Sequence, residues 1–573
     1  MSPYDSTDYR PFVQWVRRCG SDGQIRSTPL TVIDLSGQPL EQLLDWCRHA
    51  QDALGWEVPL NLFGWCQMGG IPAWLSALAQ DDLPDLPGMH RMERLGRSMT
   101  LTLTVRRTGQ QSSTLASEVC AQADVVLVRG LSSGHGCVGL PAWVELVRPD
   151  GVIMDLEGSG RWHDALSVLG DRAQASTSQS RSAWLDGAGL PDGACVTVVG
   201  AGIAGMTVSA ELVRRGFNVT VLDAFDPFGP DGVHCGHLGA ALSPLVSADD
   251  NIRSRLSRAG CLMADRLWRT LPDSIGQRCG VLQLQKPQGA RRQVDLAQVA
   301  AELDLEQWAR AVDPGQASAL AGMPLSRPGL WMPGGWVVKV TSLLKALGDL
   351  ARLQVRTAVV DRIERLGGKW VLRDRAQEVV TVADAVVLCN AGDAKALLER
   401  SGILPEDHDP AFRRLQTMHR LAGEITLIPA PMLQQGPRCI VGGDGYVLPS
   451  LDGWCVAGGT YVRDATQAEP SMGGRMENVM RAAALLDLPD LDRQMRGLAE
   501  TLPAWGGWRA VVAGRLPVIG PVPTQPGLIV CTAGASRGLT WSALQASLLA
   551  DYLQSRPVAL ERSLLRVIAS GFL

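Results

Sequence analysis

The sequence predicts an α/β protein of two modules, and three observations carry that prediction. The first is a strand–turn–helix–strand unit with three spaced glycines at residues 196–223. The second is the alternation of strand-like and helix-like segments over about residues 1–170. The third is a Ser-, Gly- and Pro-rich stretch at 171–193, which predicts a linker. Because 573 residues exceed what a single core holds, two or three domains are expected.

The first module predicts a doubly wound parallel sheet. Its predicted strands are Leu30–Asp34, Met99–Val105 and Ala123–Val128, and Val147–Met154 reads as a turn that feeds a further strand. Leu40–Leu54 has the apolar spacing of an amphipathic helix. Buried strands separated by helices are typical of this fold class.

The second module, residues 194–573, opens with the most specific motif of the chain. Val196–Val199 predicts a buried strand, Met206–Arg215 a helix and Asn218–Leu222 a second strand. The G-x-G-x-x-G spacing allows a tight turn and a close approach of the backbone to a pyrophosphate at the helix N-terminus. An acid at the end of the second strand can accept hydrogen bonds from a ribose. The predicted dinucleotide contacts are Gly200, Gly202, Ile203, Ala204, Gly205 and Asp223.

Further along, helices alternate with strand-rich stretches. The predicted helices cover Ile252–Leu271, Ser342–Leu353 and Trp541–Tyr552. Two predicted buried strands, Ala385–Ala391 and Leu528–Thr532, each end in a loop.

These elements predict a nucleotide-binding domain that is assembled from separated segments, about 194–272, 340–400 and 505–573. The segments between them, about 273–339 and 401–504, are rich in strand signals, Gly and Pro. We expect these two segments to form an inserted substrate domain with an antiparallel sheet.

This layout and the glycine fingerprint resemble the D-amino-acid oxidase superfamily of flavoproteins, which implies that the dinucleotide is FAD. The Gly-rich loop 533–539 resembles the loop that holds the flavin's pyrimidine edge in that superfamily. The run His234–His237 lies where relatives pass the isoalloxazine ring, by plain contact or by covalent attachment. Adjacent residues rarely ligate one tetrahedral metal, so no metal is expected there. The implied flavin contacts are Gly236, His237, Gly534, Ser536, Gly538 and Leu539.

The second module also resembles the family of bifunctional tRNA 5-methylaminomethyl-2-thiouridine biosynthesis proteins. The matching segments are 239–244, 250–251, 334–336, 390–393, 444–446, 517–520 and 536–539. The resemblance implies FAD-dependent oxidation of the carboxymethylaminomethyl side chain of a tRNA wobble uridine to the aminomethyl form.

That substrate side chain is an N-substituted glycine, so its carboxylate calls for an arginine with two parallel donors. Arg509 and Arg537 are the candidate catalytic residues. The amine must be neutral for hydride transfer to a flavin, and this mechanism requires no acid–base residue. The chain has Ala513 and Gly514 where the family has an Arg-Asp pair, which predicts a different substrate or a weaker activity.

In such bifunctional proteins the first module is a methyltransferase that uses S-adenosylmethionine. In this chain the loop Asp34–Leu40, where such proteins have several glycines, has Gly37 as its single glycine and contains a proline. After the strand 125–128, where relatives have an acidic residue, this chain has Arg129-Gly130. Glycines that admit the ligand's close approach are what such a site needs. We therefore expect a methyltransferase-like fold that no longer binds S-adenosylmethionine.

Charge and composition bound the partners. The net charge of −4 gives no overall positive charge that would indicate nucleic-acid binding. Local basic tracts are still compatible with a tRNA partner, namely Arg253, Arg255, Arg258 and the pair Arg413-Arg414. The 13 cysteines without a CxxC pair, together with no leader and no membrane-length apolar run, predict a reduced cytoplasmic protein that does not enter membranes. Two alternatives stay open: an oxidase of a free small amino acid or secondary amine, and a non-catalytic tRNA-binding scaffold.

Overall fold

The structure, a computed structural model, divides the chain into two units. One unit comprises Met1–Gly189 with Gln554–Arg566, and the other comprises Leu190–Leu553 with Val567–Phe572. Residues 554–566 therefore cluster with the first unit, whereas the sequence analysis placed them in the second module. The residues described are 30–34, 43–44, 60–68, 86–95, 99–106, 119, 123–128, 147–155, 162–164, 184, 187–287, 294–404, 412–491, 494 and 500–570.

The first unit contains a seven-stranded sheet. Its strands are β1 (Leu30–Asp34), β2 (Leu60–Gln67), β3 (Gly88–Leu95), β4 (Met99–Arg106), β5 (Ala123–Val128), β6 (Val147–Asp155) and β7 (Trp162–Asp164). The order is β3-β4-β2-β1-β5-β6-β7. The five central strands are parallel, and the edge strands β3 and β7 are antiparallel to their neighbours. The strand order therefore reverses at β1, the geometry in which open α/β sheets place a ligand.

Strand β1 is buried throughout its described side chains, from Thr31 to Asp34, as expected for a central parallel strand. Of the predicted helix 40–54, Leu43 and Leu44 are described, and both are helical and buried. The turn predicted at the start of Val147–Met154 instead lies within β6. Ala123 pairs with Val147 and Val125 with Val152, so residues 148–151 form an irregularity in the ladder. Residues 35–40, 129–130 and 171–183 lie outside the described residues.

The second unit has a six-stranded sheet that corresponds to the predicted nucleotide-binding domain. It comprises β8 (Cys195–Val199), β9 (Asn218–Asp223), β16 (Val355–Thr357), β20 (Ala385–Leu388), β26 (Val518–Pro521) and β27 (Leu528–Thr532). The order is β16-β9-β8-β20-β27-β26, parallel except for the β26–β27 pair. The sheet thus joins strands from widely separated parts of the chain.

A second, eight-stranded sheet corresponds to the inserted substrate domain. It comprises β12 (Val281–Leu284), β13 (Arg310–Val312), β14 (Gly329–Met332), β21 (His419–Pro429), β22 (Ile440–Gly443), β23 (Gly445–Val447), β24 (Trp454–Gly458) and β25 (Ala504–Val511). The order is β13-β14-β12-β22-β23-β24-β21-β25. The β12–β22 pair is parallel, which departs from the purely antiparallel sheet expected from the sequence. Strand β25, which the sequence analysis assigned to the nucleotide-binding domain, pairs with β21 in this sheet.

Two three-stranded sheets and the helices complete the described structure. The sheets are β10 (Ala240–Leu242), β15 (Trp336–Val338) and β11 (Gly276–Arg278), and β17 (Arg362–Leu366), β18 (Lys369–Arg373) and β19 (Val379–Ala383). The helices are α1 (Ile203–Arg214), α2 (Ile252–Trp268), α3 (Leu296–Leu303), α4 (Pro314–Ala321), α5 (Val340–Ala351), α6 (Asp393–Arg400), α7 (Arg413–Gln416), α8 (Met472–Leu485), α9 (Gly538–Leu553) and α10 (Arg562–Ile568). No helix among the described residues is both long and apolar enough to cross a membrane.

Candidate active site

The glycine fingerprint forms the turn from β8 into α1. Gly200 has a φ of +106°, and a Cβ there would lie 2.8 Å from the backbone of Cys389 and Asn390. A Cβ on Gly205 would lie 1.8 Å from the carbonyl oxygen of Gly200. Both positions therefore require glycine, the first for its backbone conformation and the second for close contact between helix and turn. Helix α1 begins at Ile203, earlier than the predicted Met206, because Gly202 is its N-cap.

Asp223 closes the motif at the end of β9. Its carboxylate accepts from the N–H of Ala201 at 2.6 Å and from the N–H of Phe225 at 3.1 Å. Asp223 and Gly202 line one pocket, together with residues of the loop that follows β9. The acid therefore lies beside the glycine turn, where the sequence placed it.

Three observations fit this turn to a dinucleotide. The glycine positions leave a cradle that side chains would fill. Gly202 has no side chain with which to cap the first N–H groups of α1, so these donors face outward for an anion. Beside the turn, the buried Oδ1 atom of Asn390 has no hydrogen-bond partner within the described part of the chain. The residues present therefore suit the pyrophosphate and ribose of FAD.

The loop 224–238 connects this turn to the eight-stranded sheet. The ring of His237 stacks on Trp505 of β25, with centroids 4.0 Å apart and planes 10° apart. Trp505 Nε1 donates to the carbonyl oxygen of Val233 at 3.1 Å, which anchors the loop. In the same part of the loop, His234 approaches the glycine turn, since a Cβ on Gly202 would lie 3.7 Å from His234 Nε2. The predicted contact residues Gly236 and His237 thus lie on a segment that connects the dinucleotide turn with the substrate domain.

Arg509 lies on the same face of β25 as Trp505. Its guanidinium occupies the space beside Gly423 and Gly459. Cβ atoms at these two positions would lie 1.6 and 3.2 Å from the guanidinium nitrogens, so the arginine fits because both residues are glycines. Arg509 Nη1 donates to the carbonyl oxygen of Thr460 at 3.1 Å, and the guanidinium carbon lies 4.7 Å from the centroid of the Tyr461 ring. These contacts hold the guanidinium in one place while leaving donors for a ligand.

Arg537 lies in the loop between β27 and α9 that carries Gly534, Ser536, Gly538 and Leu539. Its Nη1 donates to the carbonyl oxygen of Ser243 at 2.5 Å. Burial lowers the pKa of Arg537, and Tyr461 is among the groups that act on it electrostatically. The ring of Tyr461 also packs against the guanidinium of Arg509. Helix α9 begins at Gly538, so the loop ends at a helix N-terminus as predicted.

Sequence reasoning missed the aromatic residues of this cluster. Burial raises the pKa of Tyr446 to about 12, with Arg509 acting in the opposite direction, so its hydroxyl stays protonated as a hydrogen-bond donor. Tyr446 stood in a matching segment, Asp444–Tyr446, but nothing in its local pattern gave it a role. Tyr461 contacts Arg509, and Trp505 contacts His237. The partners in each pair are far apart in sequence and come together only when the chain folds.

The basic tracts proposed for tRNA are only partly exposed. Arg258 is buried and makes two hydrogen bonds to the carboxylate of Asp250, at 2.8 and 2.9 Å. Arg414 donates to the carbonyl oxygens of Leu516, Pro517 and Ala569, and burial lowers its pKa to about 10. Arg253 and Arg413 are exposed. The tracts therefore contribute fewer surface charges than the sequence suggested. The described part of the chain contains no group of three His, Cys, Asp or Glu side chains that could hold a metal ion.

Comparison with known proteins identifies the family of the second unit. Residues 195–552 match the family model described as "FAD dependent oxidoreductase". The chain belongs to this FAD-dependent family. Its cofactor is accordingly FAD, and the matched range includes the glycine turn, both arginines and the eight-stranded sheet.

Curated relatives of this flavoenzyme carry the name "tRNA 5-methylaminomethyl-2-thiouridine biosynthesis bifunctional protein MnmC". The Cupriavidus necator relative is 30% identical over 541 residues, which are 84% of this chain and 78% of that protein. The Thiobacillus denitrificans relative is 33% identical over 385 residues, which are 65% of this chain but only 58% of that protein. These matches confirm the resemblance stated from the sequence.

Solved structures show the fold of this flavoenzyme independently. Glycine oxidase from Geobacillus kaustophilus aligns with a TM-score of 0.51 at 20% identity and covers 66% of this chain and 99% of that one. Fructosamine oxidase from Aspergillus fumigatus (Amadoriase II) also aligns with a TM-score of 0.51, at 16% identity, over 66% of this chain and 90% of that one. The predicted architecture, a nucleotide-binding domain with an inserted substrate domain, is confirmed.

Proposed function

We propose that the second unit uses FAD to oxidise the carboxymethylaminomethyl side chain of a tRNA wobble uridine to the aminomethyl form. The observation that carries this proposal is the fixed guanidinium of Arg509, which is held by the carbonyl oxygen of Thr460 and the ring of Tyr461. A substrate that is an N-substituted glycine needs such a fixed cation for its carboxylate. The names of the curated relatives indicate a tRNA substrate and a 5-methylaminomethyl side chain on its uridine. A tRNA substrate places the enzyme in the cytoplasm.

Each part of the site has a distinct task in this proposal. The glycine turn and Asp223 would hold the pyrophosphate and ribose of FAD, and the loop 533–539 would hold its flavin end. Bound FAD supplies the acceptor for the two electrons of amine oxidation. Arg509 binds the substrate carboxylate, because its guanidinium is already held by the carbonyl of Thr460 and the ring of Tyr461. Arg537 donates to the carbonyl oxygen of Ser243, which fixes a second positive charge in the loop before α9.

We propose in addition that the first unit retains a methyltransferase-like sheet without binding S-adenosylmethionine. Its parallel strands reverse order at β1, where such a ligand would bind. The sequence that follows β1 has a single glycine, Gly37, where a ligand's close approach to the backbone needs several. The side chain of Asp34, at the end of β1, is buried.

A second candidate, oxidation of a free small amino acid or secondary amine, is favoured by one local difference. At the positions of the family's Arg-Asp pair, a short 3-10 helix covers Ala513–Arg515, and its Gly514 faces open space. The carbonyl oxygen of Gly514 accepts from Arg253 at 2.7 Å. If that pair grips the modified nucleoside in relatives, this chain must grip it differently.

Mass spectrometry of nucleosides decides between the two candidates. FAD-loaded protein is incubated with tRNA that carries the carboxymethylaminomethyl group, and in parallel with glycine and N-methylglycine. We expect conversion of the tRNA nucleoside to its aminomethyl form, and loss of that conversion in Arg509→Ala. Arg463→Ala, an exposed arginine near the site in sequence, serves as the matched control. An unchanged nucleoside alongside oxidised free amines would establish the second candidate instead.

A further inference from the structure

The ring of Tyr461 is an exposed aromatic surface directly beside the proposed carboxylate site. The guanidinium carbon of Arg509 lies over this ring, 4.7 Å from its centroid. Tyr461 is nevertheless 52% exposed, so a large part of its surface remains open to solvent. Tyrosine is common where an apolar ring surface meets a binding partner. An exposed ring that touches the substrate-binding arginine is therefore a candidate recognition surface.

The backbone around Tyr461 is held in place on both sides. Before it, the Thr460 N–H donates to the carbonyl oxygen of Glu424 at 3.2 Å, and the Thr460 hydroxyl accepts from the Glu424 N–H at 3.0 Å. After it, Val462 and Ala422 exchange two backbone hydrogen bonds, at 2.9 and 3.2 Å. The ring is thus exposed on a hydrogen-bonded segment, and an aromatic side chain that is already held loses little conformational entropy when a ligand binds.

Strand geometry places Tyr461 on the face of the sheet that carries Arg509. Ala422 pairs with Trp508 on one side and with Val462 on the other, so these three side chains share one face. Their neighbours Arg509 and Tyr461 point to the opposite face, because successive residues of a strand alternate. Trp508, which is 38% exposed, is therefore an aromatic residue of the same sheet that faces away from the site.

Tyr461 also marks where the site opens to solvent. The guanidinium of Arg509 lies beside Gly423, Gly459 and Thr460, which are all buried, and Arg509 itself is partly buried. Of these described neighbours of the guanidinium, Tyr461 is the exposed one. A ligand that is bound to Arg509 and stays attached to a macromolecule therefore leaves the site past Tyr461.

The proposed substrate brings a nucleobase to that opening. In the carboxymethylaminomethyl group, four bonds separate the carboxylate carbon from the ring carbon of uracil, a span of about 5 Å when extended. The guanidinium carbon of Arg509 and the centroid of Tyr461 are separated by a similar 4.7 Å. The amine must face the flavin inside the site, whereas the polynucleotide stays on the solvent side. A substrate whose carboxylate is bound to Arg509 therefore carries its uracil to the ring of Tyr461.

We propose that Tyr461 recognises the nucleobase, by packing its exposed ring surface against the uracil of the wobble nucleotide. This inference rests on the proposed function and adds a reason for preferring a tRNA to a free amino acid. Unpaired bases of RNA are commonly recognised by stacking on aromatic side chains, and each such contact contributes about 10- to 100-fold in affinity. Arg509 binds the carboxylate, which free amino acids share, whereas Tyr461 binds the base, which they lack.

The first measurement is kinetic. In Tyr461→Leu, kcat/KM for the modified tRNA should fall by about 10- to 100-fold, because the uracil loses its aromatic contact. The dissociation constant of N-methylglycine, read from the flavin absorbance, should rise by less than about fivefold, the contribution of one exposed cation–π contact. Tyr461→Phe should match the wild type, because this packing needs the ring and not the hydroxyl. Trp508→Leu, an exposed aromatic residue of the opposite face, is the matched control and should also match the wild type.

The second measurement does not depend on turnover. Anticodon stem-loops with an unmodified uridine or an abasic site at the wobble position contain no oxidisable amine, and they are titrated into the FAD-loaded, full-length protein by fluorescence anisotropy. The wild type should bind the uridine loop about tenfold more tightly than the abasic loop, whereas Tyr461→Leu should bind both alike.

Three outcomes would overturn the base contact: equal losses for tRNA and N-methylglycine in Tyr461→Leu, wild-type tRNA kinetics in that variant, or equal binding of both loops by the wild type. A wild-type protein that distinguishes the two loops but leaves the modified tRNA unoxidised would instead overturn the proposed function and retain the base contact.

Discussion

The two units contain sheets with the same local order but different residues at the point where that order reverses. In the first unit β1 lies between β2 and β5, and in the second unit β8 lies between β9 and β20, all parallel. Val32 and Ile33 of β1 are as fully buried as Val196 and Val198 of β8. The strand cores are thus equivalent, and the difference begins with the residues that follow them.

After β8, Gly200 and Gly205 occupy positions that no side chain could share. β1 ends at Asp34, and the chain continues as Leu-Ser-Gly-Gln-Pro, with one glycine where a nucleotide turn needs several. The comparison teaches that apolar strands specify the sheet, whereas a few backbone positions specify whether it binds a ligand. Four predictions test this difference, beginning with the largest expected effect.

Gly205→Val should abolish flavin binding, because its Cβ would lie 1.8 Å from a backbone oxygen that cannot move aside. Overpacking of this kind costs about 1–3 kcal/mol of folding free energy. The flavin-to-protein absorbance ratio after purification and the thermal midpoint measure both effects. Gly473→Ala, where a Cβ meets nothing within 4 Å, is the control and should keep its flavin. Full flavin content in Gly205→Val would remove the basis of the comparison.

Arg509→Ala should lower kcat/KM by about 10²- to 10³-fold, since the substrate carboxylate loses a charge-assisted pair of hydrogen bonds. Flavin content should stay at the wild-type level, because Arg509 contacts Thr460 and Tyr461 rather than the glycine turn. Steady-state kinetics with the accepted substrate provide the measurement. Arg509→Lys should recover only part of the loss, because a single ammonium cannot form the paired contact. Equal activity of both variants and the wild type would place the substrate elsewhere.

Asp384→Asn should destabilise the strand that precedes the fingerprint, and the effect should depend on pH. The Asp384 carboxylate contacts the Lys369 ammonium and accepts from the N–H of Cys195 at 2.9 Å, and these contacts hold its pKa below the ordinary value. The stabilisation is therefore present above the ordinary pKa and is lost as the pH falls through the folded pKa. We expect a loss of about 1 kcal/mol at pH 7 that shrinks towards zero below pH 3. Chemical denaturation at both pH values measures it, and Lys369→Met separates the ion pair from the backbone contact.

S-Adenosylmethionine should cause no saturable heat when titrated into the full-length protein up to the millimolar range. The sequence after β1 lacks the glycines through which such a ligand would contact the backbone. A parallel titration of flavin-free protein with FAD provides the positive control. Micromolar binding of S-adenosylmethionine would show that the two sheets differ less than their sequences indicate.

The sequence predicted the parts of the site that depend on local constraints. The glycine turn could be placed because each glycine answers a backbone requirement, and Asp223 follows from the length of one helix and one strand. The loop before α9 was found for the same reason. Helix starts were less accurate: α1 begins at Ile203 and α9 at Gly538, each directly after its loop glycines rather than at the first strongly apolar residue.

The remainder of the site depends on long-range pairing that no local pattern encodes. Tyr461 reaches Arg509 because β24 and β25 both pair with β21. Trp505 meets His237 across most of the length of the second unit. The parallel β12–β22 pair likewise joins strands with well over a hundred residues between them. Such contacts follow from the packing of whole sheets, so the sequence suggested arginines without showing which side chains would surround them.

The return of the chain to its first unit has a consequence for protein synthesis. Arg91 Nη2 donates to the carbonyl oxygen of Pro557, and residues 554–566 cluster with the unit that begins the chain. During translation, residues 554–566 of the first unit are therefore synthesised only after Leu190–Leu553 of the flavin-binding unit. Domains usually complete their folding in the order of their synthesis. In this chain the unit whose synthesis starts first is therefore the one whose fold is completed last. A fragment that ends at the linker would lack residues 554–566, which cluster with the first unit.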